Sequence, residues 1–438
     1  MEIIKKEIFN LVHKYAKDKY KIKDFIRGID PIPVSGKVLD SYDLINLVDS
    51  SLDGWLTTGR FNKEFEKEII EFLDAKIAIT VNSGSSANLI AFTTLTSKKL
   101  GDMAIRPGDE VITVAAGFPT TVNPIIQNGM VPVFIDIDIP TFNVDIKLIE
   151  GAITSKTKAI MIAHSLGNPF DVKKVREICD KYNLWLVQDT CDALGSKFDG
   201  KNLGFYGDIG TVSFYPAHHI TMGEGGLVYF NSKKVNNIKL KRIAESLRDW
   251  GRDCYCETGK DNTCKKRFQW KLGDLPYGYD HKYTYSHIGY NLKITDMQAA
   301  CGLSQLRKLK NFIKIRVSNH DYLYNGLKDY KEYFILPEKT KFSDPSWFGF
   351  LLTINNNKFT RNEIIKFLNS KLIGTRLLFS GNIIKQPYFK DVNFKVVGKL
   401  TNTDKAMNDS FWLGVYPGIN NKMLDYVLDQ IKAFIKKN

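Results

Sequence analysis

The chain has 438 residues, 43% of them hydrophobic and 25% charged, an ordinary globular composition that excludes a small stapled scaffold and a disordered tail. Its formal net charge of +14 is lopsided: residues 301–438 carry 23 basic and 11 acidic side chains, the remainder 39 and 37. Only 12 of the 62 basic residues are Arg, the type favoured for bidentate phosphate and base contacts, so a lysine-rich bias accounts for the charge without nucleic acid.

The first stretch, MEIIKKEIFNLVHKYAKDKYKIKDF, spaces its apolar residues at helical intervals and has no signal-peptide core, which predicts an amphipathic helix. The longest apolar runs, such as AKIAIT and AIMIAH, are of strand length and far short of the ~20 residues a membrane helix needs. A cytoplasmic protein with no membrane partner is expected. From about residue 65 to 230, helical patterns alternate with AKIAITV, DEVITVAA, VPVFIDI, KAIMIAH, LWLVQD, TVSFY and GGLVYF. That rhythm predicts an α/β fold, a mainly parallel seven-stranded sheet between helices, with ligands at the carboxyl ends of the strands. The last strands are free to pair antiparallel. An irregular insertion follows at 251–285, and a helix starts after Thr295, a plausible cap. The expected division is a helical segment and arm over 1–60, a large domain over 61–305, and a smaller α+β domain over 306–438.

Three segments carry chemistry. VNSGSSANLIAF (81–92) runs from a strand into a helix and sets the backbone N–H groups of Ser85 and Ser86 at a positive helix N-terminus suited to phosphate; an ordinary cap is the alternative. LWLVQDTCDALGS places Asp189 at a strand end, either to hold a pyridine ring nitrogen protonated or to cap a helix. TVSFYPAHHITMGEGG puts Ser213 after a third strand, with His218 and His219 before a Gly-rich turn.

In this order and spacing, with GWLTTGRFNKEFE (54–66) and GYNLKITDMQAACGLSQL (289–306), these segments resemble the DegT/DnrJ/EryC1/StrS sugar aminotransferases, members of the fold-type I pyridoxal phosphate (PLP) enzymes. The resemblance covers nearly the whole chain. It implies phosphate contacts from Ser85, Ser86 and Ser213, an aromatic lid from Phe118, Asp189 at the ring nitrogen, and Asp192 near the ring hydroxyl. Asn291 would reach the phosphate from a neighbouring subunit, implying a homodimer.

The family's aminotransferases carry an aldimine-forming lysine in a pattern like S-F-H-P-x-K. Here the stretch is Ser213-Phe214-Tyr215-Pro216-Ala217-His218. Histidine cannot tether PLP as lysine does, so the expected cofactor is pyridoxamine phosphate (PMP), held without a covalent bond. His218 can still act as a base, since an unperturbed imidazole titrates near ~6.5. This departure resembles the sugar 3-dehydratase branch, and implies proton removal by His218 with loss of a C3 hydroxyl. His219 either orients His218 or packs, and packing is the favoured expectation.

Cys254, Cys256 and Cys264 form C-x-C-x7-C within the insertion, and Cys191 lies 62 intervening residues before them. Cys191 is roughly 7 Å along an extended chain from Asp189. Three loop thiolates plus a fourth can bind iron-sulfur or zinc. The pattern resembles the [2Fe-2S]-bearing branch of the 3-dehydratases, as does GTRLLFSGNIIKQPYF (374–389). That implies a CDP-4-keto-6-deoxyglucose-type substrate, an NAD(P)H-dependent iron-sulfur or flavin reductase as partner, and a 3,6-dideoxysugar product for O-antigen or other surface polysaccharide. Cys179 and Cys301 read as core residues. The alternatives are a cluster-free GDP-sugar 3-dehydratase, an aminotransferase using another lysine, and a non-catalytic nucleotide-sugar binder.

Overall fold

The computed structural model describes residues 1–21 and 23–438. Its helices, in chain order, are α1 (Glu2–Lys19), α2 (Ser41–Leu52), α3 (Arg60–Leu73), α4 (Gly84–Thr94), α5 (Pro119–Gln127), α6 (Val172–Lys181), α7 (Asn237–Arg248), α8 (Asp296–Leu327), α9 (Arg361–Ser370), α10 (Thr401–Asp409) and α11 (Asn421–Lys437). The longer strands are β1 (Ile77–Val81), β2 (Glu110–Val114), β3 (Val131–Ile135), β4 (Thr157–Ala163) and β5 (Trp185–Asp189). A two-residue hairpin, β6 (Lys197–Phe198) and β7 (Lys201–Asn202), precedes β8 (Ile209–Ser213) and β9 (Gly226–Phe230). Short β10 (Phe334–Ile335) and β11 (Ser343–Asp344), then β12 (Gly349–Ile354), β13 (Lys395–Val396) and β14 (Ser410–Gly414), complete the set.

The main sheet has the order β1-β9-β8-β5-β4-β2-β3-β13. Every pairing is parallel except the two made by β9, which runs against β1 and β8. Every residue of β2, β5, β8 and β9 is buried, as helices on both faces require, so these strands are mostly apolar rather than alternating, with polar residues such as Asp189 and Ser213 at their ends. The seven expected strands are present and an eighth joins them. It is β13, whose two exposed residues carry no apolar pattern to announce a strand.

The second sheet, β10-β12-β14, is antiparallel and shares a core with α9 and α11 through Phe350, Leu352, Phe411, Leu368 and Ile431. Helix α8, 32 residues and about 48 Å long, links the two cores. Its first half packs Ala299, Leu303 and Leu309 against Phe61, Phe65 and Ile69 of α3, and its last turns bury Leu323 and Leu327 in the smaller core. The helix therefore runs unbroken through residues 305 and 306, and β13 returns from beyond it to the large sheet.

The insertion at 251–285 contains no α-helix or named strand, only a 3-10 turn at His281–Tyr283. Its ends are anchored. Gly251 sits at φ 82 with a Cβ position 1.8 Å from the His287 carbonyl oxygen, a site for glycine alone. His287 bridges Ser97 and Ser246 at 2.7 and 2.8 Å, and Lys99 pairs with Asp253 at 2.8 Å. Among the described residues, no helix is long and apolar enough to cross a membrane.

One carboxylate joins the first turns of two helices. Asp296, itself buried at the start of α8, accepts the N–H groups of Gly59 (2.8 Å), Phe61 (3.2 Å) and Asn62 (2.9 Å), donors that α3 cannot satisfy internally. Asp296→Ala is expected to cost about 2–3 kcal/mol, read as a lowered urea midpoint, with Asp296→Asn recovering part of the loss.

Candidate active site

A cavity of about 530 Å³ opens at the carboxyl ends of β4, β5 and β8. Its polar floor is Asp189, the last residue of β5. Asp189 Oδ2 accepts from Asn88 Nδ2 (2.8 Å) and Thr121 Oγ1 (2.7 Å), while Oδ1 accepts from the Cys191 N–H (3.1 Å). Three donors converge on a group that, ionised, only accepts. Asn88 is oriented in turn by Thr211 Oγ1, which donates to its Oδ1 at 2.7 Å. The signal for Asn88 is visible in the sequence after the fact: a polar residue in the apolar run ANLIAF, buried at 1% exposure, demands a partner.

At one end of the cavity, α4 points its N-terminus inward and Ser85 and Ser213 line the wall. The approach is close. A Cβ on Gly84 would lie 2.4 Å from Ser213 Cβ, and one on Gly226 would lie 2.2 Å from the Ser83 carbonyl oxygen. Ser86 stands one step back: its N–H donates to the cap oxygen Ser83 Oγ (3.0 Å), leaving its hydroxyl, not its amide, for a further partner. Phe118 lines the opening at 51% exposure. Opposite, His164 stacks on Phe170 at 4.2 Å. Its Nδ1 accepts from the Phe170 N–H, so Nε2–H donates to Gln188 Oε1; burial pushes its pKa down to about 4. It is a fixed, uncharged wall.

His218 reaches the cavity from the turn after β8, where its N–H donates to the Tyr215 carbonyl at 2.9 Å. Its Nδ1 lies 3.3 Å from Asp192 Oδ1, at ion-pair distance but outside hydrogen-bond geometry, and its ring packs 5.2 Å from that of Phe348. Burial pushes the Asp192 carboxyl above the usual range, against the pull of His218 and Arg316. His219 points away. It is buried, donates from Nε2 to the Ser346 carbonyl at 2.9 Å, and burial holds it well below the usual imidazole range. Packing is its role. Among the described residues, none of those lining the cavity is a lysine.

The sequence profile of the DegT/DnrJ/EryC1/StrS aminotransferase family matches residues 40–432. The chain belongs to this family. It is 58% identical to the lipopolysaccharide biosynthesis protein RfbH of Salmonella typhimurium, over 99% of each chain. It is 52% identical to the dTDP-4-dehydro-2,6-dideoxy-D-glucose 3-dehydratase of Saccharopolyspora spinosa, covering 94% of this chain and 88% of that one. The solved structure of the E. coli GDP-4-keto-6-deoxy-D-mannose-3-dehydratase with bound hydrated PLP superposes with a TM-score of 0.80 at 27% identity, over 91% of this chain and 98% of that one.

This family member is therefore an enzyme of the PLP-dependent transferase fold, and its cavity suits the cofactor. Asp189 is placed for a ring nitrogen, and the α4 N-terminus with Ser85 and Ser213 for a phosphate. Asn291 lies outside the cavity, exposed, in a single bridge to Asp249. Arg376 and Trp412, absent from the expected site, line its far wall; they exchange backbone hydrogen bonds, and Arg376 Nη1 donates to the Thr375 carbonyl at 2.8 Å. Arg376 falls within the 374–389 stretch already singled out by resemblance, but nothing local assigns it to the site; the fold brings it and Trp412 there.

The four expected metal ligands are not assembled into one set. Cys191 lies in the cavity wall, its thiol pushed up by burial and by Asp189. In the insertion, Cys254 and Cys256 influence each other's thiols, and Thr263 Oγ1 donates to Cys256 Sγ at 3.0 Å. Among the described residues, no three His, Cys, Asp or Glu side chains converge on a metal position. Cys191 is held at the end of β5, and the others lie on a loop anchored at Gly251 and His287. Cys179 and Cys301 are core residues.

Removing one of the three donors to Asp189 tests the floor directly. Thr121→Val is expected to weaken retention of added PLP by roughly tenfold, measured from its visible absorbance after gel filtration, and Asp189→Ala to weaken it further.

Proposed function

We propose that this enzyme dehydrates a nucleotide-linked 4-keto-6-deoxyhexose at C3 with PMP as cofactor. The observation that carries the proposal is His218 in the place of the family's lysine, facing a cavity whose lining, among the described residues, contains no lysine amine. When bound, the cofactor supplies an amine for the keto carbon and a ring that accepts electrons. The chain supplies the rest. Asp189 faces the ring nitrogen, Ser85, Ser213 and the α4 N-terminus hold the phosphate, and Phe118 covers the ring. His218 removes the proton from C4′ and can return it to the C3 hydroxyl, which leaves as water. Asp192, 3.3 Å from His218 Nδ1, stabilises the imidazolium formed on the way. Arg376 sets a positive charge at the far wall, suited to a nucleotide diphosphate. The names borne by the Saccharopolyspora and E. coli proteins support the same class of reaction.

The finer reading is a CDP-linked substrate, with net reduction through a [2Fe-2S] centre on Cys191, Cys254, Cys256 and Cys264 by an NAD(P)H-dependent reductase. A dideoxysugar precursor for surface polysaccharide would be the product. It rests on the C-x62-C-x-C-x7-C spacing and the resemblance; the name of the Salmonella relative supports the surface-polysaccharide destination alone. A second reading, supported by the name of the E. coli structure, is a GDP-sugar 3-dehydratase without a cluster that regenerates PMP from glutamate. A homodimer in which Asn291 completes the partner's site fits its exposure outside the cavity of its own chain.

His218→Asn is expected to retain PMP while dehydration falls by about 10²–10⁴-fold, followed as solvent deuterium uptake at C4′ and loss of the 4-keto sugar; undiminished turnover refutes the assignment. A lysine-linked adduct trapped by borohydride would establish an aminotransferase instead. Anaerobic iron, sulfide and visible-spectrum determination on the protein as isolated separates the two dehydratase readings. Two irons and two sulfides per chain are expected for the first, and none for the second.

A further inference from the structure

Arg316, in the middle of α8, is 1% exposed, and no carboxylate pairs with it among the described residues. Its Nη1 donates to the carbonyls of Trp347 and Phe348, both at 3.3 Å, and its Nη2 donates to the carbonyl of His218 itself at 3.2 Å. Nε has no partner. Burying a guanidinium without a paired carboxylate is costly, and an apolar side chain of similar volume would fill the space with less desolvation. The planar fork does what an apolar side chain cannot: it fastens two separate main-chain segments at fixed spacing. One segment carries His218. The other carries Phe348, whose ring lies 5.2 Å from the His218 ring and 5.8 Å from the Arg316 guanidinium carbon, and which lines the same cavity. Asp192, the carboxylate beside His218, also acts electrostatically on Arg316. Base, aromatic wall and carboxylate therefore all refer to one buried cation on α8.

We propose that Arg316 is the positioning residue that holds His218 in line for proton transfer, a proposal that rests on the dehydratase reading. It touches neither cofactor nor substrate. It acts through the backbone of the base and through the aromatic wall beside it, so it sets the rate of the chemical step without contributing to binding.

Arg316→Lys keeps the charge on a narrower head, and Arg316→Gln keeps planar donors without charge. Both are made in the full chain, checked by circular dichroism and thermal midpoint, and assayed with PMP and CDP-linked 4-keto-6-deoxyglucose, in the cold where a midpoint is lowered. The expected result is retained PMP, KM within about twofold of the parent, and kcat reduced roughly tenfold to a hundredfold. A crystal structure of Arg316→Lys should show the His218 ring moved away from Asp192. Undiminished kcat in a folded variant overturns the proposal, as does a loss of kcat that tracks loss of cofactor or a rising KM. His218→Asn, run alongside, keeps the two hypotheses apart. If it turns over normally the base assignment fails, and the position of His218 in the Arg316→Lys structure then decides the role of Arg316: an unmoved ring overturns it.

Discussion

The carboxylate of Asp189 is the constraint on which the site is built. It closes β5, and three hydrogen bonds tie it to Asn88 on α4, Thr121 on α5 and the amide of Cys191. Those partners come from three connections that the parallel sheet brings to one edge, so a single buried anion fixes the ends of two helices relative to the central strand. An unpaired carboxylate at that depth would be strongly unfavourable, and the requirement for donors therefore dictates polar residues at positions otherwise suited to packing. Thr211 extends the network to β8, the strand whose next turn carries His218.

Close backbone approach is the complementary constraint. The α4 N-terminus reaches Ser213 because positions 84 and 226 have no side chain, and a methyl group at either would stand within 2.4 Å of a neighbour. Small residues at 83–86 thus serve two ends. They cap the helix, and they leave its N–H groups facing a space where an anion can enter.

The substitution of histidine for lysine changes what the same scaffold can do. A lysine amine would hold the cofactor covalently and return it after each cycle. An imidazole cannot form that bond but can transfer a proton, chemistry that suits the proposed elimination better than amino-group exchange. The surroundings agree with that division of labour. Asp192 lies beside His218, Phe348 backs it, and His164 on the opposite wall is locked in a neutral tautomer by Phe170 and Gln188.

Much of this was legible from sequence because it is local. Strand-turn-helix patterns placed Ser85, Asp189, Ser213 and His218 at strand ends, and a parallel α/β sheet brings its strand ends to one side whatever its loops do. The alternation of buried strands predicted the sheet, although β13 escaped because two exposed residues have no period. What the sequence did not contain was long-range pairing. Asn88, Thr121, Arg316, Arg376 and Trp412 acquire their roles from partners far along the chain, and no spacing rule reaches that distance. The cysteines show the same division from the other side. Their spacing suggested one four-ligand set, yet Cys191 belongs to a rigid strand end and the other three to an anchored loop. Residue type and order along the chain determined the fold, the cofactor class and which side chains stand at the strand ends; the tertiary structure alone decided which buried donors hold those groups, because hydrogen bonds are satisfied by proximity in space and not in sequence.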